Sequence, residues 1–293
     1  MDYLLLLVLG ILWGTAPILA KIVVVEVPVF TLVGGRLTLA AAILWLLLRL
    51  RGQSMPRDRR SWTIYALQGI FNAAVPFCMI TWAVQTIPGG LAALLQATTP
   101  IFTVLLAHFV ARTERLTLSR AAGVLLGFAG VLLQMLPTLR LGLSANVWGQ
   151  LAVILACVMF GAMAIVSRRL LKGQSPMQSA TGALTAGALF LWPFALLIDR
   201  PFGLSLSTPV FLSWLALALL ASVVARTVYF TIVNRTGATF VTMVMYILPV
   251  TGLIAGALLL GEQLSLGLLL SLALILLGIF LVNRPTNHIT PSQ

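Results

Sequence analysis

Ten apolar runs, each long enough or nearly long enough to cross a bilayer, divide this chain almost completely. They cover residues 3–25, 29–50, 61–85, 89–111, 118–136, 147–170, 176–198, 209–233, 238–260 and 265–283. A membrane-spanning helix needs about 20 apolar residues. The segments between runs are too short to form a soluble domain. Sixty per cent of the 293 residues are hydrophobic and 8% are charged, against about 25% charged in a soluble domain. Lipid is therefore the expected solvent. The run lengths, and the lack of strict alternation, favour helices over a β-barrel.

The chain reads as one unit written twice. Glu114-Arg115-Leu116-Thr117 returns as Glu262-Gln263-Leu264-Ser265, 148 residues on. Pro28 and Pro176, and Gly130 and Gly278, keep the same shift; Pro100 and Pro249 miss it by one residue. With only six acidic residues in the chain, a matched Glu carries weight that a matched Leu would not. Each unit holds five runs, an odd number, so the second copy must enter the membrane from the opposite side. This is the inverted repeat found in many alternating-access transporters. The expected fold is an all-α polytopic membrane protein of ten transmembrane helices in two inverted five-helix repeats. The units are residues 1–140 and 141–285, with a short tail at 286–293.

Charge sets the orientation. With the N-terminus inside, the inner segments hold Arg49, Arg51, Arg57, Arg59, Arg60, Arg112, Arg115, Arg120, Arg168, Arg169, Lys172, Arg235 and Arg284. The outer segments hold Lys21, Arg140 and Arg200. This bias places both termini in the cytoplasm and holds in each half. The net charge of +12 is thus a topology signal rather than a sign of nucleic-acid binding. The first run is long enough to span and lacks a basic leader, so no cleavable signal peptide is expected. Cys78 and Cys157 fall inside apolar runs and read as packing residues. Gly123 and Gly127, with Gly130 a turn on, and Gly252 and Gly256, form small-residue stripes. These serve packing within the bundle or a weak homodimer face.

Polar groups at depth are few. Asp2, Glu26, Asp58, Glu114, Asp199 and Glu262 all lie at run boundaries or in loops. No carboxylate is available at mid-depth for a proton or sodium pathway. Glu114 and Glu262 read equally as helix ends that pair with nearby bases. Two arginines, Arg36 and Arg226, do lie within runs. Each must face the bundle or a wet cavity, either binding a substrate carboxylate or reaching helix-end carbonyls. Ser222, Arg226 and Tyr229 share one helical face. So do Tyr65, Gln68, Asn72 and Pro76, where Gln68 and Asn72 either join helices or line a pathway.

Prolines near mid-run each remove a backbone donor and free a carbonyl. Pro17, Pro76, Pro100 and Pro249, with Gly14, are the candidate helix-break or gating positions. Around the mates Pro100 and Pro249 lie Gln96, Thr98 and Thr99 on one side, and Met243, Tyr246 and Thr251 on the other. Broken helices related by the repeat are the best sequence pointer to a transporter site. Trp13-Gly14 in run one resembles Phe160-Gly161 in run six. The candidate substrate-binding set is therefore Trp13, Gln68, Asn72, Gln96, Thr99, Phe160, Arg226, Tyr229, Met243 and Tyr246. A cavity with such aromatic faces suits an amphipathic organic solute, not a bare ion. No cofactor, metal cluster or nucleotide-binding loop is apparent. His108 is the one intramembrane His, and no Asp lies at depth, so an intramembrane enzyme lacks its machinery.

These residues resemble the drug/metabolite transporter superfamily in its EamA-like branch, over nearly the whole chain. The resemblance rests on Trp13-Gly14, Arg36, the stretch from Ala83 to Thr117, Gly123, Gly127 and Gly130. The second copy adds Pro249, Gly261-Glu262-Gln263-Leu264-Ser265 and Gly278. One departure is Ala111-Arg112-Thr113-Glu114, which lacks the glycine of Gly261-Glu262. The resemblance implies ten helices, a central cavity, alternating access and export of amino acids or other metabolites across a bacterial inner membrane. Length and plan are similar to YddG-type aromatic amino-acid exporters. A channel-like facilitator is the alternative.

Overall fold

The computed structural model describes residues 1–112, 116–140, 144–170 and 174–283. Among them the regular structure is entirely helical. Eight helical segments are long and apolar enough to cross a membrane: α1 (Asp2–Val23), α2 (Val29–Leu50), α3 (Arg59–Ala83), α4 (Gly89–Phe109), α5 (Leu118–Pro137), α6 (Asn146–Ser167), α7 (Pro176–Asp199) and α8 (Thr208–Val233). Two shorter apolar helices follow, α9 (Val244–Leu260) and α10 (Leu266–Val282). Ten full-length runs were expected. The difference at α9 has a local cause: its first turn, Ala238–Val241, is a separate piece, and the helix restarts after Thr242 and Met243.

Local chemistry sets the helix ends. The Asp58 carboxylate accepts a hydrogen bond from the Ser61 amide at 2.8 Å and caps α3. The Ser61 amide bonds hold this carboxyl below its ordinary pKa, as expected where a backbone donor stabilises the charged form. Ser265 caps α10 through the Leu268 amide at 3.2 Å. Gly261 closes α9 in the left-handed region, at φ 65°, where a side chain would be strained.

The hydrophobic core is unequally divided. One large core draws on all ten helices, from Val23 of α1 and Leu253 of α9 to Leu44 of α2, Ala180 of α7 and Ile279 of α10. Two smaller clusters stand apart from it. Leu6, Leu9, Ala225, Ile232, Val241 and Val244 form one cluster from α1, α8 and the start of α9. Ile101, Val124 and Val282 form another from α4, α5 and α10. An ion pair closes the first of these, with Arg235 Nε 3.1 Å from Asp2 Oδ1.

The helix neighbours come in matched sets. α1 packs against α8 and α9, while α6 packs against α3 and α4. α2 pairs with α7, α4 with α9, and α5 with α10. The α5–α10 contact depends on glycine. A Cβ on Gly123 would lie 2.6 Å from the Gly278 carbonyl oxygen, and a Cβ on Gly278 equally close to that of Gly123. Gly252 likewise approaches Gly14, and Gly256 approaches Gly90 and Glu262. Both small-residue stripes are thus used in helix packing inside the chain.

Candidate functional site

The helices that carry the candidate residues are irregular where those residues sit. In α3 the turn Ile70–Ala74 is a π-helix, and in α8 so is Leu219–Val224. The starts of the two turns differ by 219 − 70 = 149 residues, the spacing of Pro100 and Pro249. A π turn closes its hydrogen bonds one residue later than an α turn, which rotates the following residues and is frequent at functional sites. α1 is interrupted at Thr15, with Pro17 in the first turn of the restarted helix. α4 is interrupted at Ala97 and Thr98, with Pro100 at its restart.

At the α4 break the freed polar groups are satisfied locally. Pro100 cannot donate to the Gln96 carbonyl, and the Thr99 hydroxyl donates to it instead, at 2.7 Å. Thr98 donates to the Leu95 carbonyl at 2.6 Å, and Gln96 Nε2 reaches the Ala92 carbonyl at 3.3 Å. The expectation for α9 needs correction. Pro249 stands inside the unbroken helix Val244–Leu260, and the interruption falls instead at Thr242–Met243, where Met243 is exposed. Tyr246, three residues on, accepts a bond from Asn283 Nδ2 at 3.4 Å.

The polar stripe of α3 is also split. Tyr65 is fully buried against Gly182 of α7. Gln68 is 4% exposed, and its amide donates to the Ser167 hydroxyl of α6 at 2.6 Å. Ser167 in turn donates to the Met163 carbonyl. Gln68 therefore joins α3 to α6. Pro76 is buried. Asn72, inside the π turn, remains partly exposed and makes no hydrogen bond among the described residues. The π turn is the physical reason: it takes Asn72 out of register with Gln68.

Two aromatic groupings form. Trp13 and Tyr229 face each other, ring centroids 5.7 Å apart, where α1 meets α8. Phe77 and Phe160 meet edge to face at 6.2 Å, where α3 meets α6. Arg36 of α2 lies over the Phe77 ring, its guanidinium carbon 4.2 Å from the centroid, a cation–π contact. Its Nε donates to the Ser222 hydroxyl of α8 at 2.8 Å. Arg226 follows Ser222 by one turn. Of this group only Arg226 belongs to the substrate-binding set expected from the sequence; Arg36, Phe77 and Ser222 do not. Arg36 was findable as a charge at depth and Ser222 by its helical face. Phe77 carries no signal that separates it from packing aromatics.

Glu262 has a role beyond ending a helix. Its Oε1 accepts from the Gly89 amide at 2.6 Å and its Oε2 from the Gly90 amide at 2.9 Å. Lys21 Nζ stands 3.6 Å from the same carboxylate and donates to the Ile87 carbonyl at 2.8 Å. One carboxylate thus caps the start of α4 and ties together α1, α4 and the α9–α10 turn. Its repeat mate Glu114 lies outside the described residues. A small cleft of about 190 Å³ opens beside Glu262, lined by Pro88, Leu91 and Leu253. A second, of about 500 Å³, lies between Trp45, Arg49, Arg57 and Trp62. Neither involves the arginine and aromatic groups above.

Comparison with known proteins places this geometry. The EamA-like transporter family matches residues 1–136 and 147–284. The chain is 29% identical over 281 residues to the inner membrane transporter YedA of Escherichia coli K12, covering 94% of this chain and 89% of YedA. It is 24% identical over 272 residues to the transporter YoaV of Bacillus subtilis, covering 92% of each. A solved crystal structure shares the fold with a TM-score of 0.69 at 22% identity, over 96% of this chain and 95% of that one. The chain belongs to the EamA-like transporter family and is a multi-pass membrane transporter.

Proposed function

We propose that the protein is a secondary transporter that exports amino acids or related small amphipathic metabolites across the bacterial inner membrane by alternating access. The units are residues 1–140 and 141–285, ten spans in inverted repeats with both termini cytoplasmic. The observation that carries the reading is the pairing of helices across the two units, with α1 against α8 and α9 as α6 is against α3 and α4. Two small clusters, one from α1, α8 and the start of α9 and one from α4, α5 and α10, stand apart from the main core. Separate packing groups of this kind fit a transporter whose helices shift as bodies between states. The matched helix neighbours, the π turns 149 residues apart and the two stretches matched by one family favour the inverted repeat. Substrate would lie between the divided groups, against Trp13, Tyr229, Phe77 and Phe160, with Asn72 and the arginines supplying polar contacts.

The test is purified protein in liposomes, with flux measured for a panel of amino acids and metabolites, with and without a pH gradient. Saturable flux of one class is the expected result, and aromatic amino acids within that panel test the YddG-type resemblance. Absence of flux and of exchange across the panel overturns the reading. Reporter fusions in the 139–146 loop test orientation, since a cytoplasmic signal there contradicts the inverted arrangement.

A further inference from the structure

Arg36 of α2 reaches Ser222 of α8, one turn before Arg226 on that helix, and no described carboxylate bonds or pairs with either guanidinium. The chain has six acidic residues, and the five described ones are engaged elsewhere. Asp2 pairs with Arg235, and Glu26 accepts from the Ser207 amide at 2.7 Å. Asp58 caps α3, and Glu262 holds Gly89 and Gly90. Asp199 comes nearest in sequence register, but accepts from both the amide and the hydroxyl of Thr31, at 2.7 and 2.9 Å. Thr31 is five residues from Arg36, about 7.5 Å along the helix axis.

The two arginines are fixed differently. Arg36 is 7% exposed and held by Ser222 and the Phe77 face. Ser222 sits in the π turn and donates its own proton to the Leu217 carbonyl at 3.3 Å. Its oxygen is therefore oriented to accept from Arg36. Among the described residues this is the only hydrogen bond to Arg36, and it uses Nε alone. Arg226, one turn beyond Ser222, is partly exposed and makes no hydrogen bond or ion pair among the described residues. Through Ser222, Arg36 is brought to the stretch of α8 that carries Arg226.

Like charges in a low-dielectric interior are costly unless an anion completes them. A carboxylate placed between the two turns one repulsion into two attractions, and the planar guanidinium fork matches its two oxygens. The geometry points to Arg36 and Arg226 as a subsite for the carboxylate of an organic substrate, whose apolar body rests on the Phe77–Phe160 or Trp13–Tyr229 faces. This rests on the transport reading and narrows it. Amino acids and aromatic or aliphatic acids qualify as substrates, and amines lacking the carboxylate do not.

The test pairs flux with binding. In liposomes, L-phenylalanine, L-leucine and 3-phenylpropionate are compared with phenylalaninamide, isoamylamine and phenethylamine. In detergent, the same six compounds and chloride are tested for thermal stabilisation of wild type, Arg226→Gln and Arg226→Lys. Arg36→Gln is added where it folds; Arg226, which makes no described bond, is the safer probe. The expected result is that the acids move and stabilise, and the amides and amines do so at least tenfold more weakly. Arg226→Gln is expected to raise the concentration of acid needed by about tenfold or more, the loss expected of a charged hydrogen bond, and Arg226→Lys to restore part of it. Equal flux of acids and amines overturns the subsite while leaving the transporter. Stabilisation by acids, dependent on Arg226 but without flux of any compound, sustains the subsite and overturns the transport reading. Stabilisation by chloride equal to that by the acids overturns the carboxylate assignment, as does absence of both stabilisation and flux.

Discussion

The Glu262 carboxylate bonds the backbone amides of both Gly89 and Gly90, at 2.6 and 2.9 Å, joining the turn after α9 to the first turn of α4. The amides are two of the orphan donors at a helix start, and their partner is charged, which makes each bond stronger than a neutral one. The absence of a Cβ at Gly90 matters here, because one would already stand 3.1 Å from Glu262 Oε2.

Glu262→Ala is therefore expected to loosen this end of the bundle. A cysteine at Leu91, which is 4% exposed, reports on it through its rate of alkylation in detergent, with Cys78 and Cys157 replaced by Ser. Loss of a charge-assisted bond of about 1.5–3 kcal/mol predicts a rise in alkylation of about tenfold to a hundredfold, and Glu262→Gln a smaller one. An unchanged rate in the alanine variant would show that the carboxylate does not hold this end shut.

The α5–α10 crossing makes a prediction about stability alone. Gly123→Ala and Gly278→Ala each place a methyl group 2.6 Å from a facing backbone oxygen, and backbone cannot move aside as a flexible side chain can. Overpacking of this kind costs about 1–3 kcal/mol. Both variants are expected to lower the thermal midpoint in detergent. Because the two methyl groups press on the same crossing, the double variant should lose less than the sum of the single ones. Additive losses would mean the helices separate locally instead of sharing one contact.

Gln68 and Asn72 are indistinguishable in sequence, both amides on one helical face, but the structure gives them different tasks. Gln68→Leu is expected to remove the hydrogen bond that Ser167 accepts across the α3–α6 contact and lower the thermal midpoint. Asn72→Leu is expected to leave stability near wild type and to reduce flux of whichever panel compound moves fastest. The pair is read by thermal unfolding and liposome flux on the same preparations. A loss of stability in Asn72→Leu as large as in Gln68→Leu would cancel the distinction.

That pair also marks how far the sequence could be read. The runs and their apolar character follow from composition and length, and the family from motifs such as Glu262-Gln263-Leu264-Ser265. What periodicity could not supply is the π turn at Ile70–Ala74, because ideal helical spacing carries the Tyr65-Gln68-Asn72 stripe straight through it. Pro249 misled for a related reason. A proline weakens a helix, but in a membrane neighbouring groups can satisfy the backbone it frees and let the helix run on through it, and the break falls at Thr242–Met243. Glu262 was legible as a helix end, whereas its partners Gly89 and Gly90 lie more than 170 residues away. No local pattern reports a contact of that range.

Trp13 and Tyr229 supply the last prediction. Their rings meet at 5.7 Å with planes tilted by 34°, and both side chains are only partly buried, so the pair has a packed side and an open side. Tyr229→Ala removes about one aromatic face from the proposed path and one contact from the α1–α8 junction. Such a pair contributes about 0.5–1.5 kcal/mol beyond its buried area, so the stability loss should be modest. Tyr229→Phe keeps the ring and loses only the hydroxyl. If the ring face serves the substrate, Tyr229→Phe retains flux, while Tyr229→Ala raises the half-saturating concentration several-fold and more for aromatic than for aliphatic panel compounds. An equal change for both compound classes would assign the pair to packing of α1 against α8.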